Sequence, residues 1–117
     1  MVCADIVKER AEDFARKWPG VEVAENWRAA VERSDVDMVM VATTHDALSE
    51  VTLGAVKAGK HVLVEKPGAR NVSEIDPVIA AAEKMGVFYH VQIGAALVRL
   101  QNKWTGAHRV VHPIILE

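Results

Sequence analysis

Apolar residues follow two alternating rhythms along this chain. Val7, Ala11, Phe14, Ala15 and Trp18 recur at helical spacing with Lys8, Glu9, Arg10, Glu12, Asp13 and Arg16 between them, and Pro19-Gly20 stops the pattern, which predicts an amphipathic helix. Val21-Glu22-Val23 is a short strand candidate. Asn26 suits the N-cap of a helix that carries Trp27, Ala30 and Val31 on one face, because its side-chain oxygen can accept an amide of the first turn. After Asp37, the run Met38-Val39-Met40-Val41-Ala42 reads as a strand buried on both faces of a parallel sheet. A third helix is expected from near Asp46, with Leu48, Val51, Ala55 and Val56 on one stripe and Gly59 as a left-handed cap. His61-Val62-Leu63-Val64 is a second buried strand. Ser73 is expected to cap a fourth helix with Ile75, Val78, Ile79, Ala82 and Met85 on its inner face; Pro77 falls in its first turn and Gly86 ends it. Val87 to Val91 is the last clear strand.

The alternation β-α-β-α-β-α-β-α-β with short connections is satisfied most simply by parallel strands joined by right-handed helical crossovers, so the expected class is α/β with a doubly wound parallel sheet. From Gly94 onward the rhythm weakens. Ala95 to Trp104 reads as a helix broken by Thr105-Gly106, and His108 to Glu117 has no assignable partner. The opening Met1-Val2-Cys3-Ala4 is apolar with no strand or turn before it, as if a larger fold were entered part-way.

Composition narrows the function classes. The 117 residues are one domain's length, half hydrophobic and 26% charged, with a formal net charge of -2. That charge gives no electrostatic reason to expect nucleic acid or an anionic membrane as partner. The single Cys3 cannot form an internal disulfide, and no apolar run reaches the ~18–20 residues of a membrane span, so a cytoplasmic protein is expected.

Several motifs carry chemistry or imitate it. Gly54-Ala-Val-Lys-Ala-Gly59-Lys60 fits most of a phosphate-binding loop, but His61 stands where that loop needs Ser or Thr, and these residues end a helix instead of opening one. The dinucleotide fingerprint G-x-G-x-x-G is absent. Asp5 ends a strand just before a helix, which suits either an N-cap or a ribose-binding acid. Glu65-Lys66-Pro67 ends a strand at the carboxyl edge where open α/β sheets bind ligands. It is either a plain charged turn or a backbone fixed by Pro67, in cis or trans, that presents the Lys66 ammonium to a hydroxyl or carboxylate. Thr43, Thr44 and His45 end the preceding strand at the same edge, where they can hydrogen-bond a cofactor or cap the next helix. His90, His108 and His112 do not form a recognisable metal set, so no metal is expected. Asn71-Val72-Ser73 matches a glycosylation acceptor but reads better as a helix start.

With these residues assembled, the chain resembles the N-terminal Rossmann domain of the glucose-fructose oxidoreductase and inositol dehydrogenase family (Gfo/Idh/MocA). The segment Ala58-Gly-Lys-His-Val-Leu-Val-Glu-Lys-Pro67 is similar to the family's A-G-K-H-V-x-x-E-K-P. Cys3 to Ala11 resembles the second strand and following helix, and Ser34 to Thr43 the strand D-V-D-x-V-x-I-A-T. Two positions depart from the pattern: Thr44 replaces the family's proline, and Leu48 takes the place of its histidine. The resemblance covers residues 1–93, implying a partial Rossmann-like domain without its first strand and glycine loop, followed by an atypical tail over 94–117.

The resemblance implies that Asp5 holds the adenosine ribose, Thr43 lines the dinucleotide with Thr44 and His45 beside it, and Glu65 and Lys66 sit by the nicotinamide and substrate, with Lys66 the catalytic candidate. It implies NAD as cofactor over NADP, since a 2'-phosphate would meet the charge of Asp5. The implied partners are the dinucleotide and a small polyol-like substrate, with hydride passing to or from a sugar-like or cyclitol hydroxyl; a homo-oligomer is left open. On this reading the chain is an incomplete oxidoreductase, inactive alone. The alternative is a non-catalytic module in which Met1 to Ala4 closes onto Met38 to Ala42 as the central strand of a five-stranded flavodoxin-like sheet.

Overall fold

The strand–helix alternation read from the sequence is present in the computed structural model, which describes residues 1–92 and 114–115. The elements are β1 (Val2–Cys3), α1 (Lys8–Lys17), β2 (Glu22–Val23), α2 (Trp27–Val31), β3 (Met38–Ala42), α3 (Leu48–Lys57), β4 (His61–Glu65), α4 (Val72–Met85), β5 (Tyr89–Gln92) and β6 (Ile114–Ile115). The tail expected over 94–117, including its helix at Ala95 to Trp104, lies outside the described residues except for β6.

All described strand pairings are parallel. β1 lies against β2 with Val2 opposite Glu22 and Cys3 opposite Val23. The other four strands form a sheet in the order β5-β4-β3-β6, with Val39 opposite Val62, Val41 opposite Val64, and Val64 opposite Val91. Side chains two apart share a face. Val39, Val41, Val62 and Val64 are at most 1% exposed, while Met40 and Leu63 on the opposite face are 7% and 8% exposed, which is why both strands read as unbroken apolar runs. Helix α3 contributes Leu48, Val51, Ala55 and Val56 to the same core, packing on β3, β4 and α4.

The C-terminal strand corrects the sequence reading. Ile114–Ile115, which had no assignable partner, pairs with Val41 and Ala42 on the flank of β3 away from β4. A doubly wound sheet of order 3-2-1-4-5-6 puts its first strand between strands two and four. With β1 to β5 taking places two to six, β6 stands where that order has strand one, and in the same parallel sense. The flavodoxin-like closure is not what forms: β1 pairs with β2 but not with β3, and β6 occupies the flank of β3 that closure needed.

Two helix starts shift by a few residues from those expected, and other caps hold. Helix α1 begins at Lys8, and Asp5 serves its approach, accepting the Val7 amide at 2.7 Å. Asn26 caps α2 as expected, its side chain accepting from Ala29 N at 2.9 Å. The cap of α4 is Asn71, which accepts from Glu74 N at 3.1 Å; Ser73 donates to Asn71 Oδ1 at 2.6 Å instead of capping. Because α4 starts at Val72, Pro77 is in its second turn, where it withholds the amide that would otherwise bond the Ser73 carbonyl. Gly86 closes this helix in the left-handed region at φ +64°. No helix among the described residues is long and apolar enough to cross a membrane.

Candidate functional site

A cavity of about 430 Å³ opens at the carboxyl ends of β1 and β2, against the first turns of α2 and α3. Its volume falls in the range of small-molecule sites, ~300–1,000 Å³. Asp5 lies on its wall at the end of β1. One carboxylate oxygen, Oδ1, accepts the Val7 amide, and the other, Oδ2, is buried with no hydrogen-bond partner. A buried acceptor without a donor is unfavourable by ~1–3 kcal/mol or more. Asp5 thus holds the approach to α1 with one oxygen and leaves the other without a partner. The neighbouring Cys3 thiol is only 3% exposed, and burial, followed by the charge of Asp5, pushes its pKa up.

The rest of the wall comes from residues that the sequence reading had not placed in a site. Arg28 lies over the Trp27 ring, its guanidinium carbon 4.2 Å from the centroid, and donates to Glu50 Oε1 at 2.6 Å. Trp27 is seated by Gly54 of α3, where an added Cβ would stand 2.4 Å from the indole edge. The first glycine of the false phosphate loop is therefore a seat for an aromatic ring. The other residues of that loop are structural too: Gly59 takes φ +77° after α3, Lys60 Nζ donates to the Arg33 carbonyl at 2.8 Å, and His61 Nδ1 accepts the Phe88 amide at 2.9 Å.

Thr43, Thr44 and His45 follow β3 on the same edge of the sheet but do not line the cavity. Thr43 is buried and its hydroxyl donates to the Thr44 carbonyl at 3.1 Å. Thr44 organises the entry to α3, its carbonyl accepting the amides of Ala47 and Leu48. The Thr44 hydroxyl, foremost, and then the Asp46 amide and the more distant charges of Arg70 and His45 hold the Asp46 carboxyl below its usual range. His45 is exposed. Leu48, at the position of the family histidine, is fully buried in the core.

Glu65 and Lys66 leave β4 in a four-residue turn that Gly68 N closes on the Glu65 carbonyl at 3.0 Å. The Lys66-Pro67 peptide is cis, the arrangement of a type VI turn, and Lys66 is exposed. Among the described residues, no hydrogen bond or ion pair engages the Lys66 ammonium. Gly68 is buried at φ +79°, with Val91 Cγ2 2.9 Å and the Tyr89 hydroxyl 3.1 Å from where a Cβ would stand. That hydroxyl is buried without a partner, and burial pushes the Tyr89 pKa up. Arg70 ties the end of the turn to α4, donating from Nε to Glu74 Oε1 at 2.9 Å and from its amide to Glu74 Oε2 at 2.9 Å. Glu65 and Lys66 do not line the Asp5 cavity, but both sets occupy the carboxyl edge. Of the three histidines weighed as metal ligands, His90 stacks on Phe88 at 6.2 Å, and His108 and His112 lie outside the described residues.

Comparison with known proteins identifies the family of this fold. The profile of the Gfo/Idh/MocA family, described as an oxidoreductase family with an NAD-binding Rossmann fold, matches residues 1–93. The chain belongs to the Gfo/Idh/MocA oxidoreductase family. Among characterised members, the 1,5-anhydro-D-fructose reductase of Ensifer adhaerens is 42% identical over 66 residues, 53% of this chain and 20% of that protein. An NAD-binding oxidoreductase of Klebsiella pneumoniae superposes with a TM-score of 0.70 at 32% identity, over 90% of this chain and 29% of the other. A levoglucosan dehydrogenase solved with NADH and levoglucosan gives 0.71 at 29% identity, over 77% and 24%. This Gfo/Idh/MocA chain thus spans a quarter or less of the length of the curated relatives it matches.

Proposed function

We propose that this chain binds a nicotinamide dinucleotide along the carboxyl edge of its sheet, with NAD preferred to NADP, as the cofactor side of a hydride transfer involving a sugar-like or cyclitol hydroxyl. The observation that carries the reading is Asp5, a residue on the wall of a cavity of ligand size whose Oδ2 is a buried acceptor without a partner. A ribose hydroxyl supplies the missing donor. The preference for NAD rests on charge: Asp5, Glu25 and Glu50 line the cavity against one cation, Arg28, which Glu50 already engages. A 2'-phosphate would enter a net negative environment.

From Asp5 the dinucleotide would run past Thr43, Thr44 and His45 to the Glu65–Lys66 turn. The bound nicotinamide supplies the hydride chemistry, and the protein supplies position and electrostatics. The part assigned to Lys66 is orientation: an ammonium at the tip of a turn fixed by Pro67 and Gly68, available to a substrate hydroxyl. The family's sugar and cyclitol dehydrogenases, among them the levoglucosan enzyme, support a polyol-like substrate.

Calorimetric titration tests the reading, with Asp5→Asn as the variant because it keeps one carbonyl oxygen for the Val7 amide. NAD is expected to bind the chain more tightly than about 1 mM. Asp5→Asn is expected to weaken it by about tenfold or more, the loss that goes with a hydrogen bond to a charged group. Equal affinity in the two proteins, or no binding to either, would sink the assignment.

A further inference from the structure

The sheet presents a second apolar face, opposite the one that packs on α3 and α4. Val39, Val41, Val62 and Val64 point into the core, where Val78 and Ala82 of α4 join them. Met40 and Leu63 are register partners on the other face, with His90 next in the row. Both are nearly buried, at 7% and 8% exposed, yet neither belongs to the core that α3 and α4 complete. Phe88 stands at the margin of this face, 62% exposed and stacked on His90. An apolar sheet face of this kind calls for a second layer over it.

The order of the strands decides on which face each connection runs. β3, β4 and β5 step across the sheet in one direction, and the helices between them lie on the core face. The connection from β5 to β6 steps back, past β4 and β3 to the far flank of β3. Parallel strands are joined by right-handed crossovers in nearly every case, so reversing the direction moves the connection to the opposite face. The step from β1 to β2, which also runs backwards in a doubly wound order, already obeys this rule. Val2 and Ala4 point into the core, while Cys3 points the other way and its thiol donates to the carbonyl of Ala11 in α1 at 3.5 Å. About twenty residues separate Gln92 from Ile114, and a parallel crossover takes about a dozen or more. In that stretch Ile93, Leu97, Leu100 and Trp104 recur at i, i+4, i+7 and i+11, the spacing of one apolar helical stripe, with Arg99 and Asn102 off it. We propose that this stripe of the chain docks on the face of β3 and β4 that carries Met40 and Leu63, as the outer layer of the sheet. The inference is independent of the dinucleotide reading.

Nuclear Overhauser contacts between methyl groups test this in the unmodified chain, with its leucine and methionine methyls labelled. Contacts from Leu97 or Leu100 to Leu63 or Met40 are expected within one chain. A mixture of labelled and unlabelled chains separates the sources: contacts that arise only between chains would seat a second copy on this face and overturn the proposal. So would the absence of any contact from Leu97 and Leu100 to Leu63 and Met40. Two substitutions read the same docking by stability, Leu100→Asp on the stripe and Arg99→Asp beside it. Leu100→Asp is expected to lower the thermal midpoint by about 5 °C or more, and Arg99→Asp by less than about 2 °C. Equal shifts from the two would also overturn the docking. No dinucleotide enters either experiment, so their outcome leaves the cofactor reading to its own titration.

Discussion

Gly54 provides a severe test of how the cavity wall is assembled, because local propensity and tertiary packing make opposite predictions for Gly54→Ala. In an exposed helix the substitution stabilises by ~0.5–1 kcal/mol. Here the added Cβ would stand 2.4 and 2.5 Å from two carbons of the Trp27 ring. Carbon atoms settle at about 3.5–4.0 Å, so the ring or the helix must retreat by ~1 Å or more. Overpacking of this kind costs about 1–3 kcal/mol, leaving a net loss of about 0.5–2 kcal/mol after the helical gain. Urea denaturation measures it, and thermal melting should show the midpoint falling by ~4–8 °C per kcal/mol. In a Trp27→Ala background the obstruction is gone, and the same substitution should stabilise, giving a coupling of about 1 kcal/mol or more between the two sites. Gly54→Ala that stabilises equally in both backgrounds would refute the seat assigned to Gly54, and with it the fixed position of Arg28.

The other expectations concern the core, the turn and the titrating groups. Leu48→Ala removes a fully buried side chain from α3 and should lose about 2–5 kcal/mol by chemical denaturation. Gly68→Ala places a Cβ 2.9 Å from Val91 Cγ2 at a φ of +79°, and should destabilise by about 1–3 kcal/mol, whereas Gly20→Ala, with open space around it, meets only the backbone penalty. Cys3 should resist alkylation in the folded chain and react on unfolding. Because its folded pKa is raised, the stability associated with the protonated thiol is fully present below the unfolded thiol's pKa and is lost as pH rises through the folded one, so a pH series of denaturation midpoints should decline on the alkaline side of its ordinary 9.0. The Glu74 carboxyl, depressed first of all by the Arg70 side chain, works in the opposite sense: its contribution is present above the unfolded pKa and is lost as acid protonates it below its ordinary 4.5. Glu74→Gln should therefore flatten the acid limb of the same series.

The contrast between what could and could not be read in advance follows from the range of the interactions. The runs of β3 and β4 announced themselves because a strand buried on both faces has no polar alternation to hide it. Asn26, Gly59 and Gly86 were legible as caps because a cap is a local demand on one residue's side chain or φ. The start of α4 was misplaced because Asn71 and Ser73 are both good capping types two residues apart, and only the geometry shows which one accepts from Glu74 N. Strand β6 was invisible because two isoleucines carry no period, and their partner lies some seventy residues away in sequence. At the site, Asp5 and the Glu65-Lys66-Pro67 turn stood out by position at strand ends, with the family resemblance adding to the signal. Trp27, Arg28 and Glu50 did not, because a cavity wall drawn from two helices exists only once the sheet has brought them together. The position after the carboxyl end of β2 was the one available signal for Trp27 and Arg28.

Mapping of backbone amide shifts during an NAD titration tests the central claim most directly, since it reports where the dinucleotide lies as well as whether it binds. The account predicts that the largest saturable changes fall on the loops at the carboxyl edge: Asp5 to Val7, Asn26 to Arg28, Thr43 to Ala47, and Glu65 to Gly68. Shifts confined to other surfaces, or saturable binding that leaves Asp5 and its neighbours unmoved, would contradict it.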